Sequence, residues 1–229
     1  MFKIDMHVHT WYSDSSGSVE DVIEAAKKKG LDGLAITDHN TMKGSREAEK
    51  MRTDLLIIPG EEIKTERGEI LAYGIKETIP KGLPISETIR RIHLQGGLAV
   101  LPHPTIPFFS WLKEGDIKRL QIDGLEVISA ITPLPRYFLK KNLAIAQRLG
   151  LAVLAGSDSH SSETVGDTYT IVNSRSLDLK DVLNAIRLGQ TKICFHPSKL
   201  AFKARMIRGT FLSLLRAPFN RKKLHSKRD

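Results

Sequence analysis

The chain has 229 residues, of which 41% are hydrophobic, and this is enough for one sizeable α/β domain or two small ones. Its single cysteine, Cys194, excludes an internal disulfide and any zinc cluster built from cysteines, so a metal site would have to use His, Asp and Glu. Lys3 and Asp5 interrupt the first apolar run, and no other stretch is long and uncharged enough to span a membrane. We therefore expect a cytoplasmic protein without a signal peptide.

The net charge of +9 is distributed unevenly along the chain. Residues 197–229 carry ten basic residues and one acid, Asp229, whereas the rest of the chain has 25 basic and 25 acidic residues. A neutral body therefore carries a basic tail, and the two need separate explanations.

Short apolar runs alternate with amphipathic segments along the chain. In the first amphipathic segment Ser18 is typical of a helix N-cap, Asp21 of the third helical position, and Gly30 of the residue that ends a helix. Ser86 predicts the N-cap of a later helix, and a turn at residues 66–68 indicates a hairpin. The predicted strands are residues 2–8, 33–37, 55–58, 63–65, 70–73, 98–101, 124–128, 151–155, 169–172 and 192–195, and the predicted helices are residues 18–30, 42–51, 86–96, 136–149 and 179–188.

This alternation indicates parallel βαβ units. About seven of them fit one small α/β domain, a distorted (β/α)7 barrel of mainly parallel strands, better than two domains. The barrel would occupy residues 1–196, followed by the basic tail at residues 197–229.

His7 and His9 lie two residues apart on the first predicted strand, so their side chains point to the same side. Two imidazoles directed at one point, with the carboxylate of Asp14 a few residues later, suggest a site for zinc, manganese or iron. Taken alone, the pair is equally typical of polar residues at a strand end, so the rest of the chain must decide.

Other polar residues also follow the ends of predicted strands. The C-terminal ends of parallel strands lie on one face of a barrel, where barrel enzymes carry their chemistry. Five of the eight histidines lie at this rim, whereas His93, His196 and His225 lie elsewhere. The joint pattern favours a metal cluster over coincidence. The rim residues are His7, His9, Asp38, His39, Glu62, His103, Asp158 and His160.

Five motifs, in order, resemble those of the PHP superfamily, which is named for its polymerase-associated and histidinol phosphatase members. The resemblance covers residues 1 to about 195. It implies a distorted barrel of about seven strands, two or three divalent metals (Zn, Mn or Fe) at the C-terminal face, and hydrolysis of phosphate esters. The motifs are the His7-x-His9 pair with Asp14, Thr37-Asp38-His39-Asn40, Pro59-Gly60-Glu61-Glu62, the lone His103, and Gly156-Ser157-Asp158-Ser159-His160.

The resemblance also implies which residues bind the metals. Many relatives place a histidine where this chain has Glu69, which we interpret as a solvated strand residue, and we interpret Glu61 as a neighbour of Glu62 that does not ligate. The eight implied ligands are His7, His9 and Asp158 at one metal, Glu62 bridging it to a second metal that His103 completes, and Asp14, His39 and His160 at another site.

This ligand set predicts a metal-dependent phosphoesterase. Neighbouring metals can share a hydroxide at neutral pH and neutralise the phosphoryl oxygens, so in-line attack needs no covalent nucleophile. Ser157 and Ser159 flank the last motif, but the nearby histidines are committed to metals, which disfavours a serine mechanism. A nucleotide, a nucleic-acid end and a small phosphomonoester all stay open as substrates. The alternatives are a histidinol-phosphatase-like enzyme, a nucleic-acid-binding module on the same barrel, and an amidohydrolase-like deaminase.

Several residues outside the motifs have both an ordinary and a functional interpretation. Lys43 and Arg136 are surface cations that could reach a substrate phosphate. Trp111, with Phe108 and Phe109, could stack a substrate ring or simply pack in its loop. Glu126 ends a buried strand, and its spacing does not distinguish a ligand from a neighbour of the site.

The tail predicts a basic amphipathic helix at residues 199–216, followed by a cationic end. This helix could close the barrel with its apolar face, bind a nucleic-acid backbone, or attach to an anionic membrane surface. We hypothesise that the tail guides an RNA or DNA substrate to the metals.

Overall fold

The fold is a curled sheet covered by helices, seen in a computed structural model whose described residues are 1–105 and 112–197. These described residues belong to one compact unit, Met1–Pro197. They form nine strands, which are β1 (Phe2–Val8), β2 (Gly33–Ile36), β3 (Leu56–Thr65), β4 (Gly68–Tyr73), β5 (Leu98–Leu101), β6 (Gly124–Ser129), β7 (Ala152–Gly156), β8 (Thr168–Val172) and β9 (Thr191–Phe195).

The nine strands form one mixed sheet in the order β7-β6-β5-β4-β3-β2-β1-β8-β9. The sheet curls until β7 packs against β1, β8 and β9, and a bridge between Val8 and Ser159 helps to close it. The predicted α/β barrel is therefore confirmed, but its described strands are mixed where mainly parallel strands were predicted. Among the described strands, four neighbouring pairs are parallel and four are antiparallel, because the hairpin at β3 and β4 and the return of β8 beside β1 reverse the chain direction.

Helices cover the outside of the sheet with their apolar faces. The first one buries Val19, Val22, Ile23 and Ala26, as its pattern predicts. No helix in residues 1–105 or 112–197 is long and apolar enough to cross a membrane. The helices are α1 (Val19–Lys28), α2 (Lys43–Ala48), α3 (Ile85–Leu94), α4 (Glu114–Arg119), α5 (Pro135–Leu149) and α6 (Leu179–Arg187), together with a 3-10 turn at Ser162–Thr164.

The two predicted N-caps have different outcomes. Ser18 caps α1 in a reciprocal arrangement, in which its hydroxyl accepts from the Asp21 N–H and the Asp21 carboxylate accepts from the Ser18 N–H. The prediction for Ser86 is wrong, since the cap position of α3 is Pro84 and Ser86 lies inside the first turn. Proline fixes the backbone at that point, so the helix starts before the serine.

The third strand is longer than the sequence predicts and carries a site residue in its interior. Its first half pairs in parallel with β2 up to Pro59, and its second half pairs antiparallel with β4 from Gly60 onward. A Cβ atom at Gly60 would lie 2.8 Å from the Ala72 carbonyl oxygen, so only glycine permits this close approach. Glu62 therefore lies within the strand, just beyond the change of neighbour.

The predicted tail helix at residues 199–216 and the loop with Phe108, Phe109 and Trp111 lie outside the described residues.

Candidate metal centre

The eight residues proposed as ligands come together at one end of the curled sheet. His103 (φ +32°) and Asp158 (φ +53°) have positive φ values, a conformation that costs energy and often marks functional sites. The positions are His7 in β1, His9 and Asp14 in the segment after β1, His39 after β2, Glu62 in β3, His103 after β5, and Asp158 and His160 after β7.

Four side-chain atoms converge at the centre of this cluster. His7 Nε2 lies 3.0 Å from His9 Nε2 and 3.2 Å from Glu62 Oε2, and His9 Nε2 lies 3.3 Å from the same oxygen. Asp158 Oδ1 lies 3.6 Å from His7 Nε2 and 3.5 Å from His9 Nε2. Ligands about 2.1 Å from one metal ion are separated by about 3.0 to 3.4 Å in octahedral or tetrahedral geometry. The spacing of the His7, His9 and Glu62 atoms therefore suits a single ion, and Asp158 lies beside both imidazoles.

A second group of side chains lies beside the first. The Asp14 Oδ2 atom is 3.2 Å from His160 Nε2 and 3.6 Å from His39 Nε2. The ring of His9 packs against both imidazoles, with ring centroids 4.6 Å from His39 and 4.3 Å from His160. One atom from each of these four residues falls within a common radius that could hold a second metal ion.

Glu62 links the groups. Its Oε2 atom is 3.2 Å from His39 Nδ1 as well as from His7, and its Oε1 atom is 3.6 Å from His103 Nε2. The backbone holds this residue in place, because the Glu62 N–H donates to the carbonyls of Thr37 and Asp38. A carboxylate with both oxygens directed at different imidazoles is placed to bridge two cations.

The carboxylates of the cluster are held in their ionised form by the positive charge of neighbouring imidazoles. Burial alone would raise the pKa of Glu62 and of Asp158, but the neighbouring imidazoles, led by His7, hold both pKa values below their ordinary range. Burial alone would lower the pKa of His160, but Asp14 and Asp158 outweigh it and raise this pKa to about 9. Protons on His7 and His160 thus neutralise the carboxylates, and divalent cations would take over that role.

The interpretation of Glu69 as a solvated residue is wrong. Glu62 pairs with Leu71 across the hairpin, and Glu69 lies two residues before Leu71, so it projects from the same face. Its Oε1 atom is 3.8 Å from His39 Nδ1, and its side chain is 21% exposed. Burial and the charge of Glu62 raise the pKa of Glu69. With His39 and Glu62 it forms a third group that could hold a metal.

Glu126 lies behind His7, on the side away from the convergent atoms. Its Oε1 atom is 3.0 Å from His7 Nδ1, and its Oε2 atom accepts from the His103 N–H at 3.4 Å. A carboxylate on one ring nitrogen of histidine fixes the ring and leaves the other nitrogen for a metal. Burial alone would lower the pKa of His7, but Glu126, Asp158 and Glu62 raise it well above its ordinary value.

Two buried aspartates hold the segments that carry the ligands. Asp5 Oδ1 accepts from the Ser157 N–H and Asp5 Oδ2 from the Gly166 N–H, both at 2.8 Å, which ties β1 to the segment after β7. Burial raises the pKa of Asp5 to about 6, against these hydrogen bonds, which lower it. Asp38 accepts from the backbone and hydroxyl of Thr10 and from the Ser13 hydroxyl, so it fixes the segment before Asp14 instead of ligating.

The other residues considered for the site have ordinary contacts or none at this cluster. His93 Nε2 lies 2.9 Å from Asp123 Oδ2 on the outside of the sheet. Glu61 points away from Glu62, and its Oε2 atom accepts from the Ile79 N–H at 3.1 Å. The Ser157 hydroxyl donates to the His7 carbonyl and the Ser159 hydroxyl to the Ser161 carbonyl. Both serines therefore stabilise the backbone of the segment after β7.

Comparisons with known proteins agree with this geometry. Residues 5–97 match the PHP domain and residues 137–191 match the PHP-associated domain. The chain is 42% identical over 142 residues to protein MJ1587 of Methanocaldococcus jannaschii, which covers 56% of this chain and 82% of that protein. It is 36% identical over 84 residues to the phosphoribosyl 1,2-cyclic phosphate 1,2-diphosphodiesterase of Eggerthella lenta, which covers 33% of this chain and 32% of that enzyme.

A solved structure shows the same fold. It is a two-domain protein from Bacteroides vulgatus, described as containing a predicted PHP-like metal-dependent phosphoesterase, with a TM-score of 0.74 at 18% identity. The match covers 85% of this chain and 65% of that chain, so slightly less than two thirds of the two-domain protein is represented here. On the matches to the PHP and PHP-associated domains, the chain belongs to the PHP family.

Proposed function

We propose that this protein hydrolyses a phosphate ester at a centre of two or three divalent metals held by the eight clustered residues. The observation that carries the proposal is the convergence of His7, His9 and Glu62 at separations of 3.0 to 3.3 Å. Asp158 lies 3.5 to 3.6 Å from both imidazoles, and Glu62 is directed at two further imidazoles. Two ring nitrogens 3.0 Å apart cannot both carry a proton in that contact, whereas a cation between them satisfies both.

The residues divide between the metals as the family resemblance implies. His7, His9 and Asp158 would hold one ion, and Glu62 would bridge it to a second that His103 completes. A further site would use Asp14, His39 and His160, and Glu69 adds an oxygen ligand within reach of His39. This mixed imidazole and carboxylate set suits zinc, manganese or iron.

The chain's own residues provide positioning and electrostatics. When bound, the metals would supply a hydroxide nucleophile and neutralise the charge on the phosphoryl group. Glu126 would hold His7 with Nε2 facing the site, and Asp5 and Asp38 would fix the two segments that bring in Asp158 and Asp14. Hydrolysis then needs no covalent intermediate, which agrees with the loop-bonded state of Ser157 and Ser159.

Metal content and hydrolysis, measured together, test the proposal. We expect two or more equivalents of transition metal per purified chain, and hydrolysis of p-nitrophenyl phosphate that EDTA abolishes and added Mn²⁺ or Zn²⁺ restores. His9→Asn should lower the metal content and reduce hydrolysis by a factor of about 100 or more, because it removes a ligand.

His93→Asn is the matched control, since this histidine lies on the outside of the sheet, and it should keep both metal and activity. Full activity in EDTA would contradict the proposal. A metal-free and inactive protein that still binds RNA would also overturn it and favour the binding-module alternative.

A further inference from the structure

A groove lies on the two chain segments that follow His9 and His39, and three of its eight lining residues are cations. It has a volume of about 440 Å³. Its walls come from the two segments that carry the proposed ligands, because Tyr12 lies between His9 and Asp14, and Thr41 lies two residues after His39. The charged residues that line it are Lys43, Arg46, Glu47 and Lys50.

The three cations share one face of α2 and its continuation, since they are spaced by three and four residues. All three are exposed, and none of them has a carboxylate within 4 Å among residues 1–105 and 112–197. Elsewhere in the described part of the chain, surface cations often pair with acids, as in Lys27 with Glu24 and Arg148 with Glu114. With three cations and the Glu47 carboxylate, the groove therefore carries a net positive charge.

The one acid in the groove is already engaged. Glu47 Oε2 accepts a hydrogen bond from the Tyr12 hydroxyl at 2.5 Å, which ties α2 to the segment between His9 and Asp14. The bond fixes the groove's wall and leaves the three cations facing solvent.

An exposed aromatic pair stands at the same place. Trp11 is 58% exposed and Tyr12 is 39% exposed, and their rings meet edge to face with centroids 6.2 Å apart. The backbone beneath them is fixed, because the Trp11 N–H donates to the Gly17 carbonyl at 2.9 Å. A cationic groove with an exposed aromatic platform is the arrangement that binds single-stranded nucleic acid, through phosphates and stacked bases.

We propose that the groove formed by Tyr12, Lys43, Arg46 and Lys50 holds the second phosphate of a single-stranded nucleotide chain whose terminal phosphate lies at the metals. The inference rests on the proposed function and narrows its substrate to a chain with at least two phosphates. The cations neutralise the internal phosphate, and Trp11 offers a face to the adjoining base. No bond is made or broken in the groove.

Equilibrium binding to the full, metal-loaded chain tests this inference, with phosphorothioate groups in place of the phosphates of both probes so that hydrolysis is slow. The probes are the 5′-phosphorylated dinucleotide pdTpdT and thymidine 5′-monophosphate, titrated calorimetrically at several salt concentrations. We expect pdTpdT to bind about tenfold more tightly than the monophosphate. The triple variant K43Q/R46Q/K50Q should remove this preference and flatten the salt slope of pdTpdT binding by roughly 0.7 for each phosphate that the variant no longer neutralises.

The control variant K28Q/R119Q/K180Q removes the same charge from exposed positions on α1, α4 and α6, and it should keep the preference. Equal affinity of the unaltered protein for both probes, or equal losses in the two triple variants, would overturn the inference. Failure of the proposed function would show separately, as absent p-nitrophenyl phosphate hydrolysis in the metal-loaded protein, so the two proposals can fail independently.

Discussion

The Glu126 carboxylate touches His7 on the ring nitrogen that faces away from the metal cluster. Glu126→Gln keeps the shape of the side chain but removes the charge that orients the imidazole. Loss of such a partner weakens metal affinity by a factor of about 10 to 100, and we expect a decrease in this range. Competition with a chromogenic chelator measures the affinity directly, without any need for turnover.

Glu66→Gln provides the comparison, because Glu66 is an exposed residue in the turn between β3 and β4. It should leave metal affinity unchanged. If Glu126→Gln binds metal as tightly as Glu66→Gln does, then Glu126 only fills space behind His7.

The sequence indicates a metal cluster at the rim because histidines and acids follow strands whose ends meet on one face. It does not reveal Glu126 or the orientation of Glu69, because both lie within strands, where an acid has no distinctive spacing. For Glu69 a usable signal exists in hindsight. Once the hairpin register pairs Glu62 with Leu71, the two-residue period places Glu69 on the same face.

At the scale of elements, β7 crosses β1 where Gly156 meets His7. A Cβ atom at Gly156 would lie 2.5 Å from both the Cβ and the backbone nitrogen of His7. Gly156→Ala must therefore push β7 away from the strand that carries two proposed ligands. We expect the free energy of unfolding to decrease by about 1 to 3 kcal/mol, as for other overpacked sites. Urea unfolding of the metal-free chain measures this change.

Gly115→Ala makes the same chemical change in open space, since no atom lies within 4 Å of a Cβ atom at that position in α4. Alanine is the better helix former, so stability should increase by up to about 1 kcal/mol. A similar effect of both substitutions would mean that the crossing tolerates a methyl group.

The two serines predicted as caps give a second test at this scale. Ser18→Ala removes a hydroxyl that accepts from the Asp21 N–H, and it should cost about 1 kcal/mol of unfolding free energy. Ser86→Ala removes a side chain that is exposed within the first turn of α3 and should change stability by a few tenths of a kcal/mol at most. Thermal unfolding measures the stability of the two variants side by side. Equal losses of stability in Ser18→Ala and Ser86→Ala would contradict this account.

Most elements follow from apolar periodicity, and the exceptions have local causes. β3 extends past Pro59 because the strand pairs with β2 up to Pro59 and with β4 from Gly60 onward. This change of partner depends on the tertiary structure, so the apolar pattern of the sequence does not predict it. α4 has only six residues and buries Ile117, so its apolar stripe is too short to show a helical period.

For the molecule as a whole, the body is neutral and residues 197–229 are basic, so the basic residues could bring a nucleic-acid substrate to the metals. If the tail contacts a nucleic-acid backbone, neutralising its end should weaken binding of a 20-nucleotide single strand and flatten the salt dependence by roughly 0.7 for each phosphate that the tail no longer neutralises. Fluorescence anisotropy measures both. The variant changes five cations to glutamine, namely Arg221, Lys222, Lys223, Lys227 and Arg228.

The matched control changes five exposed lysines of the body to glutamine and should bind the strand as the unaltered chain does. Equal weakening in both variants would show that only net charge matters. The five lysines are Lys28, Lys76, Lys81, Lys118 and Lys180.

The two hydrogen bonds that Asp5 accepts from the backbone N–H groups of Ser157 and Gly166 have a consequence for metal binding. Asp5 bonds to backbone groups 152 and 161 residues further along, and His7 meets Asp158 across a similar interval. Contacts this distant in sequence form only after long loops have closed, so they arrive late in folding. A chain whose last strands have not docked would then hold the imidazole pair and Glu62 without Asp158, and tight metal binding becomes a sign that those strands have docked.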